Sequence, residues 1–173
     1  MNRLYILCLL FLVFISCQKE KEYSSVDPVI WENRTVTGTL PETLEHGSSY
    51  LSIYSQIYSV SQHGIYDLTA TVSMRNPNRA DSIFIEKAEY FNTEGSLIRT
   101  YFNKPIYLAP LETVEIVIDA ADTEGGTGAN FIFEWRIKPT SVEPLFEGVM
   151  ISTYGQQGLS FTTQGKRILV NDN

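Results

Sequence analysis

The sequence predicts an all-β fold, an antiparallel immunoglobulin-like β-sandwich of about seven to nine strands, with a closed barrel as the alternative. Two observations predict it. From Tyr50 onward, short apolar or alternating runs are separated by Gly, Asn, Asp and Pro. In the same region no stretch shows a 3.6-residue hydrophobic period over two or more turns. The length after the N-terminal segments suits a single domain with its own core.

Local patterns place the individual strands. The clearest is Asp67–Arg75, in which apolar and polar residues alternate so that one face of the strand is apolar. Asn76-Pro77-Asn78 ends it, because proline cannot continue a strand ladder. Asn92-Thr93-Glu94-Gly95 predicts a hairpin turn. The other predicted strands are Ser82–Phe91, Leu97–Phe102, Thr113–Asp119, residues 131–137, Gly148–Tyr154, Leu159–Thr163 and Arg167–Val170.

The N-terminus has the pattern of an export signal. Arg3 precedes an apolar run of 12 residues, Leu4–Ile15, which is shorter than the roughly 20 residues of a membrane-spanning helix and typical of a signal-peptide core. Phe14-Ile15-Ser16-Cys17 then resembles the lipobox of bacterial lipoproteins. We expect residues 1–16 to be removed as a lipoprotein signal peptide and Cys17 to carry the acyl chains of a membrane anchor. The alternative is an ordinary secretory signal followed by a chance cysteine.

Cysteine content and charge restrict the chemistry of the remaining chain. Of the two cysteines, Cys8 would leave with the signal and Cys17 would be consumed by the anchor. Residues 18–173 therefore contain no thiol for a disulfide, a thiolate metal site or a cysteine nucleophile. Loss of Arg3 with the signal leaves 12 basic and 20 acidic residues, a net charge of −8. We expect no nucleic-acid partner for such an acidic protein.

Residues 17–45 are predicted to form a lipidated polar tether, and residues 46–173 a single β-sandwich domain. Within the tether, Val29-Ile30-Trp31 is an apolar exception and a candidate for folding back onto the domain. Gln18-Lys19-Glu20-Lys21-Glu22 resembles the Lys/Glu-rich signal of surface lipoproteins in the Bacteroidetes. We therefore expect an outer-membrane lipoprotein of the cell envelope. The Lys/Glu-rich segment favours exposure at the cell surface, and a domain that faces the periplasm is the alternative.

Two glycine-containing segments form the candidate surface for a ligand or partner, with Gly125, Gly126, Gly128 and Asn130 in the first and Gln156, Gln157 and Ser160 in the second. Glycine-rich loops can present N–H groups to a phosphate. Here Asp119, Asp122 and Glu124 would repel an anion, and the P-loop lysine is absent. The same acids lack the spacing of a calcium-binding EF-hand. The expected roles are a tight connection between strands and a hairpin turn.

Other residues are candidates for metal binding, catalysis, glycosylation or glycan contact. The two histidines, His46 and His63, have no second histidine at metal-ligand spacing, so neither zinc nor a histidine-based triad is expected. Asp81-Ser82-Ile83 resembles the O-glycosylation motif of Bacteroidetes envelope proteins, which makes Ser82 a candidate modification site. Exposed tyrosines could contact a glycan, although strands favour aromatic residues anyway; the pool is Tyr50, Tyr54, Tyr58, Tyr66, Tyr101 and Tyr107.

The order of several segments resembles an uncharacterised bacterial family, domain of unknown function 3124, over about residues 50 to 168. Its most specific parts are Gly125-Gly126-Thr127-Gly128-Ala129-Asn130-Phe131 and Gln156-Gln157-Gly158-Leu159-Ser160-Phe161. This resemblance implies an exported, β-rich domain and brings no activity, substrate or catalytic residue. Residues 72–78 resemble the Asn-Pro-Asn strand end of the water-stress, late-embryogenesis-abundant type sandwich, which favours the same fold.

The sequence therefore predicts a non-enzymatic envelope lipoprotein that binds a protein or glycan partner, or that has a structural role in the envelope. No catalytic residue, metal or cofactor is expected. The alternative is a hydrolase that acts on envelope or environmental glycans through carboxylates near the glycine-rich loop. Carboxylate pairs are also available elsewhere, for example Glu86 with Glu89 or Glu143 with Glu147. Nothing in the sequence singles out a pair whose surroundings would separate the two pKa values.

Overall fold

The computed structural model describes residue 25, residues 28–153 and residues 158–169. Cys17, the signal at residues 1–16, Gln156 and Gln157 lie outside the described residues. Among the residues that are described, no helix is both long and apolar enough to cross a membrane. The elements within them are α1 (Pro28–Glu32), β1 (Glu45–Ile53), β2 (Gln56–Ser59), β3 (Ser61–Asp67), β4 (Thr69–Arg75), β5 (Ile83–Phe91), β6 (Leu97–Phe102), β7 (Ile106–Leu108), β8 (Thr113–Ile118), β9 (Ala129–Ile137), β10 (Leu145–Ser152), β11 (Leu159–Gln164) and β12 (Lys166–Ile168).

The strands form two antiparallel sheets and one separate hairpin. The first sheet has the order β12-β1-β9-β5-β6, and β7 also pairs with β5. The second sheet has the order β11-β10-β4-β8, and β2 pairs only with β3. This arrangement confirms the predicted all-β, antiparallel sandwich. The described part of the chain contains twelve strands, where about seven to nine were predicted.

The core lies between the two sheets and follows from the alternation in the sequence. On β9, Phe131, Phe133 and Trp135 are fully buried. On β4 the opposing layer consists of small and aliphatic side chains, including Val72 and Met74. Phe133 stacks on Phe146 of the second sheet with ring centroids 4.2 Å apart. Burying one such side chain contributes about 1.5–3 kcal/mol, so this apolar layer is the main force that holds the sheets together.

Both open sides of the sandwich are closed by chain segments. On one side the chain passes from β11 of the second sheet to β12 of the first, and the Thr163 hydroxyl donates to the Ser52 carbonyl (2.7 Å). On the other side, Ser25 bonds to β8, and residues 34–36 lie beside β7. Trp31 is buried there, with its ring centroid 5.0 Å from that of Phe102. Part of the segment predicted as a tether thus contributes a core residue.

The two ends of the sandwich differ in chemistry. One end, called here the glycine-loop end, carries the β5–β6 turn, the β8–β9 loop and the β2–β3 hairpin. The opposite end, called the asparagine end, is organised by Asn76. Its Nδ2 donates to the carbonyls of Asp81, Leu108 and Ala109 at 2.8–3.1 Å. Its Oδ1 accepts the Asn78 amide N–H (3.0 Å). The strand end predicted at Asn76-Pro77-Asn78 is therefore a buried hydrogen-bonded junction.

Candidate functional site

The glycine-rich loop (residues 124–130) crosses the glycine-loop end and is bonded to both neighbouring connections. The Gly126 carbonyl accepts the amide N–H groups of Ser55 (3.2 Å) and Gln56 (3.1 Å). The Gly125 carbonyl accepts the amide and the hydroxyl of Thr93 (3.1 and 3.0 Å). The Gly128 amide donates to the Thr93 hydroxyl (3.0 Å). These peptide groups are engaged inside the protein, so the loop acts as a structural connection between three strand ends.

Two glycines in this loop have a steric or conformational requirement. A Cβ on Gly125 would lie 1.9 Å from Tyr90 Oη and 2.5 Å from Ser55 Oγ. Gly126 has a φ of 70°, in the left-handed region that favours glycine. The close approach at Gly125 lets Ser55 and Tyr90 share a buried hydrogen bond of 2.6 Å. Burial raises the pKa of the Tyr90 phenol, which therefore stays a neutral hydroxyl.

The acids beside the loop surround Arg99 of β6. Its side chain is 10% exposed and contacts Asp122 Oδ2 (2.9 Å) and Glu124 Oε2 (3.1 Å). Burial opposes the charge of this guanidinium, but Tyr101 and Asp122 outweigh that effect and raise the pKa of Arg99. Asp122 and Glu124, two of the acids expected to repel an anion, thus form ion pairs with a buried arginine. Within the described ranges, no group of three or more His, Cys, Asp or Glu residues is placed to hold a metal ion.

The candidate carboxylate pairs lie in ion pairs rather than in a shared cleft. Glu86 contacts Arg136 (2.8 Å), and Glu89 contacts Lys87 (3.4 Å). Both lie on the outer face of the first sheet, because a bulge between Ile85 and Lys87 shifts the alternation. The other pair is separated as well: Glu143 bonds Arg167, and Glu147 bonds Arg75 (2.6 Å). Glycoside hydrolysis uses two neighbouring carboxyl groups, one protonated and one ionised, whose different surroundings separate their pKa values. Neither candidate pair has this arrangement, because each of the four carboxylates contacts a basic side chain.

A shallow pocket of about 180 Å³ lies beside the N-terminal segment. Its lining includes Trp31, Glu32, Thr35, Asn103 and Lys104. Glu32 is the single carboxylate among its lining residues, so this pocket has no acid pair. It is also formed by segments other than the two glycine-containing segments of the sequence prediction.

The predicted surface residues divide between the two sheets. Asn130 is on β9 of the first sheet, where it lies opposite Ser52 and Phe91. Ser160 is exposed on β11, the edge strand of the second sheet, opposite Ile151. Asn130 and Ser160 thus lie towards the same end of the sandwich but in different layers. Ser82 is half-buried, and the neighbouring Asp81 carboxylate is held by Lys138 (2.5 Å), whose hydrogen bond lowers the pKa of Asp81.

Ser160 belongs to a larger uncharged surface that the sequence analysis did not identify. Strand register places it on the outer face of the second sheet with six other side chains that are not charged. This surface, called here the neutral face, consists of Thr69, Thr71, Val117, Val149, Ile151, Ser160 and Thr162. Four strands pair to create this surface. It could have been predicted from the sequence only if the order of the strands in the sheet had been known. Ile151 is 41% exposed, and Ser160 and Thr162 are exposed too.

Fold and site define an antiparallel β-sandwich domain with a glycine loop whose peptide groups are hydrogen-bonded within the protein. Part of the outer face of its second sheet is uncharged. The chain belongs to the family described as Protein of unknown function (DUF3124), whose model matches residues 46–168. This confirms the family resemblance found in the sequence. The match runs from the second residue of β1 to the last residue of β12. No curated protein and no solved structure matches the chain.

Proposed function

We propose that this chain is a non-enzymatic lipoprotein of the bacterial outer membrane, anchored through Cys17, whose sandwich binds a protein or glycan partner through the neutral face. A structural role in an envelope assembly would use the same surface. The observation that carries this proposal is the contrast between the two outer sheet faces. The outer face of the first sheet carries ion pairs such as Lys87–Glu134 and Arg136–Glu86. The outer face of the second sheet has its charged residues, Arg75, Glu115 and Glu147, towards the asparagine end and seven uncharged side chains at the glycine-loop end.

The neutral face has the composition of an interface core. Removing water from an unpaired charge is costly, and interface cores are depleted of charged residues. Thr71 lies opposite Val149 and Val117, and Ile151 lies opposite Ser160, so apolar and hydroxyl groups alternate over a flat area. Hydroxyl groups can bond a saccharide or a peptide, while the aliphatic side chains add apolar contact.

The first sheet offers a different surface. Lys87 Nζ contacts Glu134 Oε1 (3.0 Å), and Arg136 contacts Glu86. Partial burial opposes the charge of Lys87, but the bond with Glu134 outweighs it and raises the pKa of Lys87. A partner on this face would have to separate or dehydrate such pairs. We therefore assign the partner to the second sheet.

The anchor is supported by the order of Arg3, the apolar run and Ser16-Cys17. Mass spectrometry of the N-terminal peptide from purified protein tests it: we expect a chain that begins at Cys17 and carries acyl groups. Cys17→Ser should abolish acylation and the retention of the processed protein in the membrane fraction. A wild-type N-terminus without lipid would refute the anchor. Protease accessibility on whole cells then tests whether the domain faces outward.

Partner binding is tested by crosslinking in intact cells that express a Thr162→Lys variant. The matched control is Thr100→Lys, which adds the same exposed side chain to the outer face of the first sheet. We expect crosslinked species that Thr162→Lys loses and Thr100→Lys keeps; a glycan array identifies a saccharide ligand. Equal loss in both variants would refute the assignment to the neutral face. Glycan hydrolysis that Glu86→Gln or Glu89→Gln abolishes would instead establish the hydrolase alternative.

A further inference from the structure

The β2–β3 hairpin projects from the glycine-loop end and belongs to neither sheet. It connects β1 of the first sheet to β4 of the second. Its base is fixed by the Leu68 amide, which donates to the Ser55 carbonyl (2.8 Å), and by Gln56 Nε2, which donates to Asp67 (2.7 Å). Beyond this base, residues 57–66 form a protrusion with its own cross-strand pairing.

The protrusion is uncharged and apolar at its tip. None of residues 57–66 is Asp, Glu, Lys or Arg, in a chain with a net charge of −7. Val60 at the turn is 107% exposed, Tyr58 60%, Tyr66 50% and Ile65 46%. Tyr58 and Ile65 lie directly opposite each other on one face. Val60 has a φ of 61°, which is unfavourable for a β-branched residue, so this apolar side chain has no evident role in stabilising the turn.

Ser25, the first described residue, lies beside Val117 of β8, which puts the proposed anchor within reach of the same end. The Val117 amide donates to the Ser25 hydroxyl (2.9 Å), and eight residue steps separate Ser25 from Cys17. Such a link spans at most about 28 Å. Val117 lies opposite Thr71. Four residue steps lead from Thr71 to Asp67, which pairs with Gln56, and four more lead from Gln56 to Val60, so the tip at Val60 is at most about 26 Å beyond that level. The link is therefore long enough to let the tip reach the anchoring membrane.

We propose that the hairpin inserts its tip, Tyr58 to Ile65, into the interfacial layer of the membrane that holds the lipid anchor; this rests on the proposed acylation of Cys17. Tyrosines are enriched at membrane interfaces, where the ring is buried and the hydroxyl stays hydrated. No charge has to be dehydrated for the tip to enter. Glu94 and Glu124 at the same end limit insertion to the hairpin and favour zwitterionic over anionic lipid. The contact fixes the orientation of the sandwich on the membrane.

Site-specific labelling tests the contact with purified, acylated protein in phosphatidylcholine vesicles. Removal of Cys8 and acylation of Cys17 leave a mature chain without a free thiol, so Val60→Cys carries a single fluorescent label. The control is Thr140→Cys, at the exposed asparagine end. We expect a blue-shifted emission at position 60 and at least threefold stronger quenching by spin-labelled lipid than at position 140. Anionic lipid should reduce the quenching.

The outcomes separate the contact from the anchor. If the acylated protein floats with the vesicles and the label at position 60 is not quenched, the hairpin contact is wrong while the anchor stands. Equal quenching at positions 60 and 140 also refutes it. A blue shift that lipid quenchers do not affect, with Val60→Cys crosslinking between chains, assigns the tip to a second copy and overturns the proposal. If the N-terminus carries no lipid and the protein fails to float, both proposals fail.

Discussion

Replacing Gly125 with alanine tests whether the glycine loop is a structural connection. The added Cβ would lie 1.9 Å from Tyr90 Oη, 2.5 Å from Ser55 Oγ and 2.8 Å from Ala129 Cβ. Tyr90 is fully buried and stacks on Phe131 at 4.8 Å. Because the Tyr90 ring is packed in the core, the steric clash with the added Cβ can be relieved only if the loop or the ring shifts.

Three effects determine how much the free energy of unfolding changes. Forcing a methyl group into a well-packed site costs about 1–3 kcal/mol. Disrupting the Ser55–Tyr90 hydrogen bond costs about 0.5–1.5 kcal/mol, and more if a buried hydroxyl is left unsatisfied. Alanine also lowers the conformational entropy of the unfolded chain relative to glycine, which stabilises the folded state by about 0.4–1 kcal/mol. We expect Gly125→Ala to lower the free energy of unfolding by about 1–4 kcal/mol.

Urea unfolding followed by tryptophan fluorescence measures this change, because Trp31 and Trp135 are both buried. The matched control is Gly128→Ala in the same loop, where the added Cβ would meet Thr93 Cγ2 at 3.4 Å, an ordinary contact. We expect the control to change stability by less than about 1 kcal/mol. Tyr90→Phe should partly rescue Gly125→Ala by removing the nearest atom. Equal stability of the two alanine variants would refute the structural role of Gly125.

Three further predictions concern stability. Asn76→Asp should cost at least about 3 kcal/mol in urea unfolding, because a carboxylate replaces the amide that donates to three carbonyls. Trp31→Ala should cost about 3–5 kcal/mol in the same assay, because it empties a buried site. The third concerns pH: although partial burial opposes it, bonds from Arg34 and the Ala109 amide lower the pKa of Glu112 from its ordinary 4.5. The stabilisation of the folded state by ionised Glu112 should be complete above pH 4.5 and lost as pH falls through the folded-state pKa. In Glu112→Gln, this part of the pH dependence of stability should be absent.

Controls for these predictions use exposed positions. Thr140→Ala, at the same end as Asn76, should leave stability within about 0.5 kcal/mol of the wild type. Trp31→Phe should retain more than half of the stability that Trp31→Ala loses. A Trp31→Ala variant as stable as the wild type would place residues 28–36 outside the unit that unfolds cooperatively. If the free energy of unfolding of Glu112→Gln falls at acidic pH as it does in the wild type, other carboxylates dominate the pH dependence of stability.

The local patterns of the sequence determined much of the sandwich. Period-two alternation identified β4 and the inward face of β9, because a strand between a core and solvent must alternate. Asn92–Gly95 identified the β5–β6 turn, since its residues suit a hairpin connection. The strand end at Asn76-Pro77-Asn78 also followed from local chemistry. The lipobox and the candidate modification at Ser82 are likewise local patterns of the sequence, and both stay predictions.

Tertiary structure alone decided the elements that depend on distant partners. The first half of β1 is polar, and it becomes a strand because Gly47 and Ser49 accommodate Trp135, 86 residues from Ser49; the indole Nε1 donates to Ser49 Oγ (3.0 Å). The roles of Gly125 and Trp31 depend in the same way on Tyr90 and Phe102. The neutral face arises only when four strands pair in one order. Alternation and turn chemistry are local and can be read along the chain, whereas close packing and strand register are properties of residues that meet only in the fold.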